Sequence, residues 1–125
     1  MILGVGIDII EVARIEASYQ NFGERFLQRL LCPGEISYCL AYQHPGPHLA
    51  VRFAAKEAVS KAFGTGIGAR LSWQDMEVVR DASGQPRLQL HGNGLALLAE
   101  RGGKCVHLSL SHTVNYATAV AVLEG

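Results

Sequence analysis

Asp8, Glu57 and Lys61 are the side chains of this 125-residue chain whose types and spacing could do chemistry together. Glu57 and Lys61 stand four apart in Lys56-Glu57-Ala58-Val59-Ser60-Lys61, so on a helix they share one face, one turn apart. Asp8 closes the apolar run Ile2 to Ile7, which reads as a buried strand delivering a carboxylate at its exit. Two carboxylates and an ammonium could hold a metal ion against a polyphosphate. Gly64-Thr65-Gly66-Ile67-Gly68 follows at once, and glycines there would expose backbone N–H groups to phosphate oxygens. Each piece alone has a plainer explanation. The Glu/Lys pair could be a solvated surface pair worth about 0.3–0.5 kcal/mol. Asp8 could cap a helix starting near Glu11, and the glycines could be a C-cap followed by a turn. The conjunction is what points to a site.

The elements that must position these groups follow from periodicity. Residues 2–8 predict a strand. From about Glu11 to Leu31, Val12, Ile15, Tyr19, Phe22, Phe26, Leu27 and Leu30 recur at three and four, a helical pattern that Gly23 divides or bends. Pro33 suits the opening of a short helix through Tyr42. Residues 48–63 predict the strongest helix, with Val51, Ala54, Ala55, Ala58, Val59 and Ala62 on its buried side. Arg52, Lys56, Glu57, Ser60 and Lys61 fall on the other, expected to be polar and open. Strands at 76–80 and 87–90 flank a turn from Asp81 to Pro86, a helix is expected over 95–100, and strands over 105–111 and 116–123 complete the chain. This order predicts an α+β fold with an antiparallel sheet packed against the long 48–63 helix.

Length predicts one domain, residues 1–125, able to bury roughly two-thirds of its unfolded surface without staples. Net charge is +0, with 11 basic and 11 acidic residues, so no global field recruits nucleic acid or an anionic membrane. No apolar run approaches the roughly 20 residues of a membrane helix, and Met1-Ile2-Leu3 does not open a signal peptide. The expected address is cytoplasmic. Cys32, Cys39 and Cys105 are odd in number and lack a Cys-x-x-Cys, which predicts bystander thiols.

Two further groups could bind ligands. His112 ends a strand after Ser109 and Ser111, where a loop can present it, although a lone histidine is more often structural. Arg14, Arg25 and Arg29 with Phe22 and Phe26 could form a basic and apolar docking face. Arg14 and Arg25 align if the helix continues past Gly23, while Glu11, Glu16 and Glu24 neutralise the segment and favour a plain surface helix.

Gly6-Ile7-Asp8 and Phe53-Ala54-Ala55-Lys56-Glu57-Ala58-Val59-Ser60-Lys61 resemble the 4′-phosphopantetheinyl transferase signature. Arg52 before that block, Phe63-Gly64-Thr65-Gly66-Ile67, Asp81-x-x-Gly84-x-Pro86 and Leu108-Ser109-Leu110-Ser111-His112 fall in the order of the short bacterial holo-acyl-carrier-protein synthase type, from end to end. The resemblance implies transfer of phosphopantetheine from coenzyme A to a serine of apo-acyl carrier protein, releasing 3′,5′-ADP, in fatty acid biosynthesis. It implies Mg²⁺ held by Asp8 and Glu57, with Lys61 on the coenzyme A phosphates. Arg52, Gly64, Ser109 and His112 would line the nucleotide site, and the enzyme would be a homotrimer with interfacial sites. Glu57, directly or through a metal-bound water, or else a water near Asp8, would take the serine proton. Because carrier proteins are typically acidic, the resemblance also makes Arg14, Phe22, Arg25, Phe26 and Arg29 the partner face. Departures at Val51, at Cys32-Pro33-Gly34 and at Thr113-Val114-Asn115 bear on substrate preference more than on chemistry. A nucleotide-binding module without turnover, an assembly protein and a different Mg²⁺-dependent phosphotransferase are the competing readings.

Overall fold

The structure, a computed structural model, describes residues 1–125. Strand β1 (Ile2–Glu11) leads into helices α1 (Val12–Phe22), α2 (Glu24–Leu30) and α3 (Pro33–Leu40), then the long α4 (Gly46–Phe63). A 3-10 turn at Trp73–Asp75 precedes the hairpin β2 (Met76–Arg80) and β3 (Pro86–Leu90). Helix α5 (Gly92–Glu100) and strands β4 (Cys105–His112) and β5 (Tyr116–Glu124) finish the chain. The strands form a three-stranded antiparallel sheet in the order β1-β5-β4 and a separate two-stranded ribbon, β2-β3. The expected α+β arrangement of antiparallel sheet on central helix is what forms. No helix is long and apolar enough to cross a membrane.

Gly23 does break the first helical pattern. Its φ of 61° and ψ of −143° end α1 and start α2, so the alignment of Arg14 with Arg25 on one continuous helix does not exist. β1 runs three residues further than the periodicity predicts, to Glu11, which places Asp8 inside the strand and not at a helix cap. α5 begins at Gly92 instead of Leu95.

Small residues set the contact between α4 and the sheet. Gly4, Gly6 and Asp8 share the β1 face turned to α4, because alternate strand residues point the same way. A Cβ on Gly4 would stand 1.9 Å from the Ala62 carbonyl oxygen, and one on Gly6 only 1.8 Å from that of Ala58. The glycines are therefore required for backbone-to-backbone packing. The opposite face of the sheet is open and apolar: Val5, Ile7 and Ile9 are 61%, 62% and 66% exposed, beside half-buried Val120 and Val122.

The predicted polar side of α4 is not open. Arg52, Lys56 and Ser60 are 1%, 0% and 0% exposed, because α2, α3 and the 3-10 turn cover the side that the helical wheel assigns to solvent. A buried ammonium must keep its hydrogen bonds. Lys56 Nζ donates to Leu30 O at 2.9 Å, to Glu35 Oε1 at 2.7 Å and to Trp73 O at 3.0 Å, which uses all three of its protons. Glu35, itself buried, also accepts the N–H groups of Cys32 and Val78, each at 2.9 Å.

Removing one partner strands the other charge in the core. Lys56→Met is expected to cost about 3–5 kcal/mol, read as a lower urea midpoint at fixed protein concentration. Lys56→Met combined with Glu35→Leu should cost less than the sum of the single changes. Strict additivity would show that the two charges do not act as a unit.

Candidate active site

Asp8, Glu57 and Lys61 come together where β1 passes the second half of α4. Asp8 pairs with Ala119 in the sheet, and its carbonyl accepts the Thr118 hydroxyl at 2.8 Å, so its backbone is fixed. Side chains on a helix lean toward its N-terminus. Lys61 accordingly reaches back across the turn of Glu57, and its Nζ donates to Asp8 Oδ1 and to Ile7 O, both at 3.0 Å. The Lys61 side chain remains 51% exposed, against 15% for Asp8, so the ammonium can turn to an incoming ligand. Burial first, then the negative charge of Asp8, hold the Glu57 carboxyl above the usual carboxylate range, while Lys61 pulls it down. Two hard oxygen donors that repel one another beside a cation are a donor set suited to Mg²⁺.

The glycine loop serves the helix end. Gly64 takes a left-handed conformation, φ 77° and ψ 9°, and donates to Lys61 O at 3.0 Å. Thr65 and Gly66 N–H groups donate to Ser60 O at 3.2 and 3.3 Å, and Gly68 N–H to Leu71 O at 3.0 Å. These four amides are not free for phosphate, which corrects the nest reading: three cap the C-terminus of α4, and the fourth, Gly68, closes a turn onto Leu71.

Arg52 and His112 belong to a second group, built on the N-terminal turns of α4, on α3 and on the end of β4. Arg52 lies with its guanidinium carbon 4.3 Å from the centre of the Tyr38 ring, and Arg80 approaches the same ring at 5.3 Å. Tyr42 stacks on His48 at 3.6 Å, and His48 meets His112 edge-on at 5.3 Å. Arg52 Nη1 donates to His48 O at 3.3 Å, while its buried Nε has no partner. Burial, then the neighbouring His112, Arg52 and Arg80, push His48 below the usual imidazole range. A recess of about 190 Å³ beside Arg52 is lined by Tyr38, Arg80 and Glu77 among others. This cationic, aromatic group suits a phosphorylated nucleotide. His48, Tyr38, Tyr42 and Arg80 are its unanticipated members. The i,i+4 spacing of His48 and Arg52 was a readable signal for one of them; the others are joined only by tertiary packing.

The two groups do not meet within one chain. Asp8 is on β1 and His112 on β4, the two edge strands, separated by β5 and hence by about 9–10 Å of sheet. Ser109 stands on the open face of the sheet, the opposite side of β4 from Leu110, and joins neither group. Phe22, Arg25, Phe26 and Arg29 do converge, lining a groove of about 530 Å³ with Ser18, and exposed Arg14 lies outside that lining.

A family model described as the 4′-phosphopantetheinyl transferase superfamily matches residues 4–121. The chain belongs to that superfamily. A curated relative from Chlamydia trachomatis serovar D, a holo-[acyl-carrier-protein] synthase, is 53% identical over 97% of this chain and 98% of its own length. The crystal structure of the holo-[acyl-carrier-protein] synthase of Neisseria meningitidis superposes with a TM-score of 0.93 at 37% identity, covering 100% of both chains. That of Bacillus anthracis, in complex with CoA (3′,5′-ADP), gives 0.84 at 40% identity over 100% of this chain and 98% of that one. These full-length matches are to single-unit enzymes, the type that the sequence motifs resemble.

Because the native pKa of Glu57 lies above its unfolded value, the folded state holds that proton more tightly. Its contribution to stability is present at low pH and is lost as pH rises through the native value. Asp8→Asn should lower the Glu57 pKa and Lys61→Ala should raise it, followed by carbon-13 NMR titration of the Glu57 carboxyl. Shifts of the same sign in both variants would disprove the electrostatic coupling.

Proposed function

We propose that this chain is an enzyme that transfers the 4′-phosphopantetheine group of coenzyme A to a serine hydroxyl of an apo-acyl carrier protein. The other product is 3′,5′-ADP, and the reaction depends on Mg²⁺. The observation that carries this reading is the convergence of Asp8, Glu57 and Lys61 in a member of this superfamily. Asp8 and Glu57 would hold Mg²⁺, which neutralises pyrophosphate charge when bound. The serine oxygen attacks the phosphorus on the pantetheine side of the pyrophosphate, and the bond to the oxygen of 3′,5′-ADP breaks. Lys61 shifts from Asp8 to the phosphate oxygens and stabilises charge on the departing nucleotide. Glu57 accepts the serine proton directly or through a water.

The separation of the two groups supports an assembly. The metal group occupies one edge of the sheet, and the Arg52 and His112 group the other. The exposed row Val5, Ile7 and Ile9 beside Val120 and Val122 is an apolar face that a second copy can cover. Three copies around an axis would bring each β1 edge to a neighbour's β4 edge and complete three sites. In that arrangement the nucleotide binds Arg52 and His112 of one copy while its pyrophosphate meets Lys61 of the next. The groove at Phe22, Arg25, Phe26 and Arg29 is the docking face for the acidic carrier protein, in fatty acid biosynthesis. The polypeptide is cytoplasmic, where coenzyme A and carrier protein are both available.

Intact-mass spectrometry of an apo-acyl carrier protein with coenzyme A and Mg²⁺ should show a phosphopantetheine mass gain that EDTA abolishes. Asp8→Ala or Glu57→Ala should lower the rate by about 10²–10⁴-fold. Full activity of either variant across a Mg²⁺ titration would refute the metal assignment. For the docking face, Arg25→Glu should raise the carrier protein KM by roughly 3–10-fold without changing coenzyme A binding. Arg14→Glu, outside the groove, should do less; an equal effect from Arg14 would extend the interface along α1 beyond Ser18.

A further inference from the structure

We infer that His48 is the proton-linked member of the Arg52 and His112 group: it takes up a proton as a nucleotide phosphate binds there. The inference rests on the reading of that group as the nucleotide site. Side chains of α4, β2 and β4 bring two guanidinium groups and two imidazoles together around Tyr38 and Tyr42. The one carboxylate lining the adjoining recess, Glu77, is already bonded to His91 Nε2 at 2.8 Å. No acid is left to balance the cations. Arg52, which lines the same recess, is buried with its Nε unpartnered, and a buried donor of that kind calls for an acceptor. An anion answers both demands.

Packing fixes His48 among these charges. Its ring stacks on Tyr42, 3.6 Å between centres and 19° between planes, and meets the rings of His112 and Tyr38 edge-on at 5.3 and 6.2 Å. Its own carbonyl accepts Arg52 Nη1, which keeps that guanidinium beside it. The groups facing it are Tyr38 of α3, Tyr42 just beyond α3, Arg52 of its own helix, Arg80 of β2 and His112 of β4. Burial first, then His112, Arg52 and Arg80, hold the imidazole below its usual range, so it is neutral in the free protein near pH 7. A phosphate dianion reverses the sign of the field at the ring, so its arrival draws a proton onto His48. By reciprocity the protonated imidazole strengthens phosphate binding. Affinity therefore falls as pH rises through the His48 value of the complex. The phosphate's own second ionisation, near about pH 6, acts in the opposite direction, because the dianion is the better ligand for cations.

The test is calorimetric titration of the full-length protein with 3′,5′-ADP at constant Mg²⁺, in pairs of buffers that differ in ionisation enthalpy. Wild type should take up protons on binding and lose affinity by about 3–10-fold between roughly pH 6.5 and 8.5, since one pKa unit between two states is tenfold in affinity. His48→Phe keeps a ring to stack on Tyr42 but cannot titrate. It should lose the proton uptake, and its affinity should stay level or fall toward acid pH as the phosphate itself protonates. Imidazole NMR of the wild type gives the same answer without a variant: saturation with 3′,5′-ADP should raise the His48 pKa. A His48 value unmoved by the nucleotide, or proton uptake that survives intact in His48→Phe, would overturn the inference and assign the proton to His112. Either result would leave the nucleotide site standing. A wild type that does not bind 3′,5′-ADP at any pH would instead remove the site itself, and the inference with it.

Discussion

The Lys56 ammonium is the interaction around which the rest of the structure is arranged. It is buried in the middle of α4 and bonded to the end of α2, to Glu35 of α3 and to the 3-10 turn before β2. Through Glu35 the same network reaches the Cys32 and Val78 amides, so one pair of charges ties five segments together. A charge in the core is tolerable only when every donor is satisfied, and that requirement restricts where the helices and the ribbon can sit. Apolar packing would hold these elements near one another with far less angular restriction.

On its other side α4 meets β1 through Gly4 and Gly6, backbone to backbone. That close approach brings the Asp8 carboxylate within reach of Lys61 and under the influence of Glu57. Two constraints of different kinds thus act on one helix. The ion pair holds it against α2 and α3, and the missing Cβ atoms let the sheet come close enough for residues 53 positions apart in sequence to share a site. A helix with larger residues at 58 and 62, or a strand with alanines at 4 and 6, would hold the two carboxylates apart.

The sheet also divides function between its edges and its faces. Its inner face packs on α4, its β1 edge carries the acidic group, and its β4 edge carries His112 beside Arg52, His48 and Tyr38. Its open face is apolar at Val5, Ile7 and Ile9 but polar at Cys105, His107 and Glu124. Period-two alternation generates all of this from a few strands, since neighbouring residues on one strand serve opposite surfaces.

The sequence by itself determined the order of elements, the breaks at Gly23 and Gly64, and the identity of the Asp8, Glu57 and Lys61 group, because local periodicity, glycine geometry and short motifs are written in adjacent residues. Its helical wheel could not show that Arg52, Lys56 and Ser60 are covered, since burial depends on which distant segment lies over a face. Nor did it reveal Glu35 as the partner of Lys56, 21 residues away, and it left open whether the Gly64 loop caps the helix or faces a phosphate. The separation of Asp8 from Arg52 and His112 was decided by tertiary structure alone. It rests on strand order, which is set by long-range pairing and leaves no mark on neighbouring residues.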